Sequence, residues 1–234
     1  MTRCTPAQFQ QHLKSIESWG LRPCSLEDYS IDGEEKGLVA LTFDDGYESL
    51  FFNVYPALNS AGFTFTVFMI AGFIGKSNGW EVRIGGRKFR HLSWQQLQSM
   101  ENFEIGSHSL NHLDLTGLDE KALCREVGDS KKILEDGIGK PVTRLSLPFG
   151  RWNRRVLDCC REAGYKNVYS LNPNYISEDG FLEGRYGVYL FDGKASLKAK
   201  LNPGFANHLE KFRLKFFNRL SGGTVLVKKW RGER

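Results

Sequence analysis

The sequence predicts an α/β fold in which a parallel sheet is covered by helices. Near-continuous apolar runs, typical of strands buried on both faces, alternate along the chain with amphipathic helical patterns. With 234 residues, 41% of them apolar, the chain can form one sizeable core, so we expect a single domain over residues 1–234. The strand candidates are compatible with a barrel, although the pattern alone does not separate a barrel from an open sheet.

The first helix is predicted to begin after Thr5, because a capping residue followed by proline is typical of a helix start, and Gly20 ends it. His12 is expected on the exposed face of this helix. Strand candidates follow at 38–43, 64–70, 103–106, 143–147, 166–170, 187–190 and 224–227. Helical patterns lie between several of them, at 93–100, 119–136 and 153–163, and long loops are expected at 72–89 and 172–185.

Two polar segments follow predicted strands and together suggest a metal-dependent hydrolase. Asp44 and Asp45 come directly after one apolar run, and His108 and His112 follow another. Two imidazoles and one carboxylate supply three ligands for a divalent ion and leave a position for water, whose proton the second carboxylate can accept. Each pattern alone is more often structural, because Asp-Gly marks turns and paired histidines are commonly solvated. Their occurrence together favours a site, since the carboxyl ends of barrel strands carry active sites.

The same segments resemble the polysaccharide deacetylases, the NodB-homology family of carbohydrate esterases. Thr-Phe-Asp-Asp-Gly at 42–46 is similar to the first motif of that family, and His-Ser-Leu-Asn-His at 108–112 is similar to the second. Ser-Leu-Pro-Phe-Gly at 146–150 matches the third motif in part, with Ser146 where many members have Arg. The resemblance implies a distorted, incomplete (β/α) barrel with about seven parallel strands and with its motifs within about residues 38–190.

The resemblance also implies roles for individual residues. Asp45, His108 and His112 would bind the metal ion, and Asp44 would be the general base that accepts a proton from the attacking water. The spacing of the two histidines places both imidazoles on one side of a helical turn or a tight loop. A backbone N–H near Phe149 would help the metal ion to hold the oxyanion. The candidate substrate-binding residues are Tyr47, Pro148 and Gly150.

Two later features of the family differ in this chain. Arg185 could supply the guanidinium that position 146 lacks, or it could be an ordinary surface cation, and both alternatives stay open. The run 224–227 stands where the family has a Leu-x-His motif that provides a general acid, but it contains no histidine. His208 lies in a helical pattern and is expected to be solvated. The sequence therefore assigns no group to protonate the leaving amine.

The reaction implied is hydrolysis of a non-peptide C–N bond, with removal of an N-acetyl group from a sugar in a polysaccharide or glycoconjugate. One divalent ion is the expected cofactor. Zinc is favoured, and Co, Ni, Mn and Fe are also compatible with the ligand set. The same site would suit an O-acetyl esterase or a hydrolase of small amides. A non-catalytic saccharide-binding module is the alternative from another class, because the Arg and the Leu-x-His of the family are missing.

The expected partner is an acetylated saccharide. The net charge of +5 is mild and no nucleic-acid-binding motif is present, so no nucleic-acid partner is expected. No apolar run is long enough to span a bilayer, and the amphipathic N-terminal segment does not resemble a signal peptide. Five cysteines without a C-x-x-C pair favour a reducing compartment, so a cytoplasmic location is expected. The basic amphipathic stretch 207–220 would either cover the barrel or contact a membrane surface peripherally.

Overall fold

Six parallel strands form a sheet that curls into a half-barrel, and a smaller sheet of two parallel strands precedes it in the chain. The computed structural model describes residues 4–32, 37–77, 89–173 and 175–201. The strands of the half-barrel are ordered as they occur in the chain, so each one pairs with the next. The small sheet comprises β1 (Arg22–Cys24) and β2 (Leu38–Ala40). The half-barrel comprises β3 (Thr42–Phe43), β4 (Phe65–Met69), β5 (Phe103–Ser107), β6 (Arg144–Ser146), β7 (Asn167–Ser170) and β8 (Leu182–Gly184).

Helices connect most of the strands. They are α1 (Pro6–Ser18), α2 (Leu26–Asp32), α3 (Glu48–Asn53), α4 (Tyr55–Ser60), α5 (Trp94–Ser99), α6 (Glu120–Cys124), α7 (Ser130–Ile138), α8 (Arg154–Glu162) and α9 (Lys194–Leu201). A π turn at Arg125–Asp129 joins α6 to α7, and tight helical turns lie at Ala71–Phe73, Leu115–Gly117 and Pro148–Gly150. Within the described residues, no helix has the length and apolar character that crossing a bilayer requires.

Successive side chains of each strand point to opposite faces of the half-barrel. Phe65, Val67 and Met69 of β4 belong to the main core, which also contains apolar side chains of α3, α4, α5 and α8. The alternate residues Thr66 and Phe68 face the other way, into the half-barrel. The helices therefore cover the outer face, and the inner face carries polar side chains and a few aromatic rings.

A buried ion pair lies at the amino end of the inner face. Arg144 of β6 contacts Glu104 of β5, and their side chains are 10% and 11% exposed. The Glu104 carboxylate also accepts hydrogen bonds from the Thr66 hydroxyl at 2.7 Å and from the Glu27 N–H at 3.1 Å. Because Glu27 lies in α2, this network attaches α2 to the amino end of the half-barrel. The polar loops that follow β3, β5, β6 and β8 occupy the carboxyl end.

Most of the predicted elements are present. α1 begins after Thr5, whose hydroxyl accepts the Gln8 N–H at 3.2 Å, as the capping pattern predicts. The helix predicted at 119–136 contains a π turn in its middle. The run 38–43 is divided at Leu41 between β2 and β3, which lie in different sheets. The other predictions confirmed, apart from small differences at their ends, are the strands at 64–70, 103–106, 143–147 and 166–170 and the helices at 93–100 and 153–163.

The strand predicted at 187–190 is wrong. These residues form an irregular segment. The backbone oxygen of Gly187 accepts a hydrogen bond from the Lys200 ammonium at 2.8 Å, so within the described residues it bonds to a side chain and not to a neighbouring strand. The last strand of the half-barrel lies earlier, at Leu182–Gly184, inside the segment 172–185 that the sequence predicts as a loop. Its three residues are too few to show a strand pattern. Outside the described residues lie 207–220, His208, 224–227 and positions 78–88 of the loop predicted at 72–89.

His12 is buried, contrary to the expectation that it lies on an exposed helix face. Its Nε2 lies 2.8 Å from the backbone oxygen of Asp192, and the Asp192 carboxylate pairs with the buried Lys200 of α9. Local periodicity cannot predict this contact, because the partner lies 180 residues further along the chain. The contact joins α1 to α9.

Gly184→Ala is expected to destabilise the fold, because a Cβ at this position would lie 2.1 Å from Asn172 O and 2.6 Å from Pro173 Cα, both in the backbone. Overpacking of this kind typically costs about 1–3 kcal/mol, a loss that urea unfolding followed by circular dichroism would measure. Gly117→Ala is the matched control, since nothing lies within 4 Å of its Cβ position. The effect of this control is expected to stay within about 0.5 kcal/mol. Equal stability of the two variants would contradict the close approach of β8 to the preceding segment.

Candidate metal centre

The first motif forms a turn at the carboxyl end of β3. Asp45 and Gly46 both adopt left-handed backbone angles, with φ of 68° and 62°. A Cβ on Gly46 would lie 2.2 Å from Met69 Sδ, so glycine fits both the angle and the space. The turn is fixed by Leu92, whose N–H donates to Gly46 O at 2.9 Å, and by His91, whose Nδ1 lies 2.8 Å from Asp45 O. The reversal at Asp45 allows two consecutive carboxylates to occupy different environments.

The second motif is a tight loop after β5, and it is not helical. Ser109 and His112 have left-handed φ of 64° and 56°. The loop is stabilised from within, because the Ser109 hydroxyl accepts the His112 N–H at 3.0 Å. His108 is buried, and its Nδ1 lies 2.7 Å from Ser146 O. This contact on one ring nitrogen leaves the other, Nε2, directed toward the first motif, as is common for histidines that bind metals.

Asp45, His108 and His112 come together at the carboxyl ends of β3 and β5. Asp45 Oδ1 lies 3.6 Å from His108 Nε2 and 3.5 Å from His112 Nε2, and the three residues offer ligand atoms within 4.8 Å of one another. In a tetrahedral site with metal–ligand bonds of about 2.1 Å, neighbouring ligand atoms are about 3.4 Å apart. The donor set and its spacing therefore fit one divalent ion. In the part of the chain that the structure describes, no second cluster of this kind is found.

Arg185 holds Asp44 in a bidentate ion pair. The guanidinium nitrogens lie 2.9 and 3.0 Å from the two carboxylate oxygens. They also donate to the Thr42 hydroxyl at 2.8 Å and to the Ser146 hydroxyl at 2.5 Å. The Arg185 side chain is only 10% exposed, so the alternative of an ordinary surface cation is wrong. Ser146 thus accepts a hydrogen bond from a guanidinium that comes from the end of β8.

Aromatic rings inside the half-barrel support this guanidinium. Its central carbon lies 4.9 Å from the ring centroid of Phe68 and 5.8 Å from that of Tyr169. Burial alone would raise the pKa of Asp44, but the charge of Arg185, the nearby His108 and hydrogen bonds to the carboxylate lower this pKa to about 2. Asp44 is therefore ionised at neutral pH.

The third segment borders the loop that carries the histidines. Phe149 has a left-handed φ of 60°, and its ring centroid lies 4.7 Å from that of His112. Pro148 is buried, and Gly150 packs so closely on the residue that follows β7 that a Cβ would lie 2.8 Å from Leu171 N. The segment is therefore held rigidly beside the candidate ligands, and the roles given to its residues stay predictions.

His91 is a supporting residue whose contacts the sequence does not reveal. Besides its contact with Asp45 O, its ring centroid lies 4.9 Å from that of Tyr47, so the tyrosine packs beside the first motif. His91 lies two residues before Ser93, which caps α5 together with Gln96. This capping pattern predicts where a helix begins, and it does not indicate what His91 contacts. The substrate-binding role of Tyr47 stays a prediction.

The half-barrel fold and the candidate site at its carboxyl end together indicate a hydrolase. The carboxyl ends of parallel strands bring a ligand set of two histidines and one aspartate next to a second aspartate that is paired with arginine. The family model described as polysaccharide deacetylase matches residues 32–168, more than half of the chain. The chain belongs to the polysaccharide deacetylase family.

Several known proteins are similar in sequence. YxkH of Bacillus subtilis, provisionally named a polysaccharide deacetylase, is 26% identical over 211 residues, which cover 87% of this chain and 67% of that protein. The poly-beta-1,6-N-acetyl-D-glucosamine N-deacetylase of Staphylococcus aureus is 25% identical over 181 residues. That match covers 73% of this chain and 62% of the staphylococcal enzyme, so it spans less than two thirds of the enzyme's length.

Solved structures share the fold. The deacetylase PplD of Streptococcus pyogenes, in complex with acetate, is similar with a TM-score of 0.72 and 22% identity, over 86% of this chain and 88% of that one. A de-N-acetylase from Aggregatibacter actinomycetemcomitans gives a TM-score of 0.68 and 19% identity, over 82% and 88% of the two chains. At these identities the likeness concerns the fold, and it confirms the barrel-like architecture that the resemblance implies.

The pair of Asp44 and Arg185 predicts a pH-dependent contribution to the stability of the metal-free protein. The pKa of Asp44 is about 2 in the folded state, whereas an unfolded Asp has a pKa of about 3.9. The pairing therefore contributes stability above about pH 5, and this contribution diminishes as the pH falls toward about 2. Arg185→Met removes the pair. The difference in unfolding free energy between wild type and variant is thus expected to narrow from about pH 6 to about pH 3.

Urea unfolding at a series of pH values, with a chelator present, measures this difference. Arg154→Met is the control, because Arg154 is 95% exposed and lies 3.8 Å from Asp158 on the surface of α8. An exposed pair of this kind contributes little, so no comparable change with pH is expected. A difference for Arg185→Met that is constant from neutral to acidic pH would contradict a lowered pKa of Asp44.

Proposed function

We propose that this protein is a metal-dependent deacetylase that removes N-acetyl groups from a sugar of a polysaccharide or glycoconjugate. Membership of the polysaccharide deacetylase family supports a deacetylase hydrolase. The observation that carries the proposal is the position of Asp45 Oδ1, within 3.6 Å of the Nε2 atoms of His108 and His112. Beside this ligand set lies a second carboxylate, Asp44, which Arg185 keeps ionised.

The three residues Asp45, His108 and His112 would hold one divalent ion. When bound, the ion would lower the pKa of a water molecule toward about 7 and polarise the acetyl carbonyl, so that even a weakly basic carboxylate can take the proton. Nitrogen and carboxylate ligands suit zinc, and the same set is compatible with Co, Ni, Mn and Fe. Zinc is therefore the favoured but not the necessary ion.

Asp44 would act as the general base. Both of its oxygens accept hydrogen bonds from Arg185, and each carboxylate oxygen has a second lone pair that can take a proton from water. Arg185 fixes the plane of the carboxylate and keeps it in the ionised form that a base requires. The proton that Asp44 receives can then pass to the leaving amine, so that the water is divided between acetate and the free amino group.

Phe149 would contribute its backbone N–H to the oxyanion of the tetrahedral intermediate. Its left-handed φ of 60° turns the chain sharply at the end of β6, beside the ring of His112. A donor fixed in this way needs no rearrangement when charge develops on the carbonyl oxygen. Tyr47, Pro148 and Gly150, which border the same site, would contact the saccharide.

An N-acetyl substrate is favoured over an O-acetyl ester. The name of the staphylococcal relative specifies N-deacetylation of an N-acetylglucosamine polymer. The alternative of a non-catalytic saccharide-binding module rests partly on the missing Arg of the third motif. Because Arg185 places a guanidinium on Asp44 from the end of β8, that part of the argument no longer favours the binding module.

Metal content tests the ligand set. Wild type supplied with Zn, Co or Mn and then dialysed is expected to retain about one divalent ion per chain, and His112→Ala to lose most of it. Elemental analysis measures both. His12→Ala is the control, because this buried histidine belongs to the contact between α1 and α9. If wild type retained no ion, the hydrolase proposal would fall and the saccharide-binding module would become the better explanation.

Acetate release tests the base. Asp44→Asn is expected to retain the metal ion and to lose about 10²–10⁴-fold in turnover, the range typical of general-base catalysis. Asp158→Asn, which changes a carboxylate that is 51% exposed, is expected to leave turnover unchanged. N-acetylated oligosaccharides, O-acetylated oligosaccharides and small amides are compared as substrates. Release from O-acetyl esters alone would favour the esterase alternative, and full turnover by Asp44→Asn would exclude Asp44 as the base.

A further inference from the structure

The loop between the two candidate histidine ligands is held by the π turn that joins α6 to α7. Glu126, in this turn, is only 3% exposed. Its backbone oxygen accepts the Leu110 N–H at 3.1 Å. Its carboxylate accepts the Asn111 N–H at 2.9 Å through Oε2 and the Asn111 side-chain amide at 2.7 Å through Oε1. A single buried acid thus binds both residues that directly precede His112.

The π turn directs these acceptors out of the helix. Turns of this kind are rare, and they occur frequently at functional sites. The carbonyl of Glu126 bonds to the histidine loop, and the carbonyl of Val127 accepts the hydroxyls of Ser130 and Tyr165. Both carbonyls therefore serve contacts outside the regular helical pattern. The side chain and the main chain of Glu126 meet the same loop as a result.

The histidine loop needs such support because its backbone is unusual. Ser109 and His112 are non-glycine residues with left-handed φ, a conformation that persists only where the surrounding structure enforces it. On the opposite side, Gly72 N–H donates to Leu110 O at 2.8 Å. The peptide between the two imidazoles is thereby held from both sides, and the carboxylate of Glu126 provides the charged contact.

We propose that Glu126 is a positioning residue that fixes His112 relative to His108 and thereby sets the affinity of the metal centre. This inference rests on the proposed metal site. Glu126 itself acts only through Asn111 and the loop backbone. Hydrogen-bond partners of this indirect kind typically change metal affinity about 10–100-fold when they are removed.

Two substitutions separate the hydrogen bonds of Glu126 from its charge. Glu126→Ala removes both side-chain acceptors. Glu126→Gln keeps one oxygen for the Asn111 N–H, and its amide can donate to the Asn111 side-chain oxygen once that amide turns over. If positioning is the role, Gln should restore most of the affinity that Ala loses.

Glu135 provides a matched control. It lies in α7, and its carboxylate likewise accepts a hydrogen bond from a backbone N–H outside the helix, that of Val142 at 2.8 Å, and another from the Lys131 ammonium at 2.7 Å. Glu135→Ala therefore removes a comparable clamp that does not touch the histidine loop. It is expected to lower the resistance to urea without changing metal affinity.

The experiment measures dissociation constants for Zn²⁺ and Co²⁺ by competition with a chromophoric chelator, and the visible absorption spectrum of bound Co²⁺. Glu126→Ala is expected to bind both ions about 10–100-fold more weakly and to alter the Co²⁺ spectrum. The dissociation constants of Glu126→Gln are expected to lie within about threefold of the wild-type values, and those of Glu135→Ala are expected to equal them.

Wild-type affinity in Glu126→Ala, or an equal loss in Glu135→Ala, would overturn the positioning role while the metal site stands. Failure of wild type to bind either ion would instead remove the proposed function itself. If circular dichroism shows that Glu126→Ala does not fold, Asn111→Ala replaces it, because this exposed side chain supplies one of the contacts. A several-fold weaker affinity is then expected, and unchanged affinity would overturn the proposal.

Discussion

The ion pair between Asp44 and Arg185 connects the two edges of the half-barrel. Asp44 follows β3 and Arg185 follows β8, which are the first and last strands in the order of the sheet. A sheet that stops short of closure leaves these edges without a shared ladder of hydrogen bonds. The guanidinium bridges them at the carboxyl end, and its contact with the Ser146 hydroxyl adds β6 to the same junction. The geometry of the candidate site therefore depends on a contact that also completes the fold.

This junction explains how adjacent aspartates can have different chemistry. Asp44 points to the guanidinium inside the half-barrel, whereas the left-handed turn at Asp45 directs its carboxylate to the two imidazoles. Their surroundings differ in charge as well as in position, and such differences are what separate the functions of paired carboxylates in catalytic sites. One short motif can thus place the proposed base and the proposed metal ligand side by side, because its backbone reverses between the two carboxylates.

The sequence predicts those parts of the protein that depend on neighbours in the chain. Local patterns predict the cap of α1 at Thr5, most of the apolar strands and the two contiguous motifs. The sequence leaves two alternatives for the role of Arg185, because its contact with Asp44 joins residues that are 141 positions apart. β8 was missed because three residues carry no periodicity. The burial of His12 was missed for the same reason as the Arg185 contact, since a distant partner decides it.

Arg185 also bears on how members of such a family are identified. A search that requires Arg at the third motif would count this chain as lacking the guanidinium, because position 146 is serine. In three dimensions the cation is present, and it reaches Asp44 from another strand. What such a motif would have to record is then a positive charge beside the carboxylate of Asp44, which different sequence positions can supply. Family members could instead be sorted by the distance from this carboxylate to the nearest guanidinium. That measure would group this chain with proteins that carry Arg in the third motif.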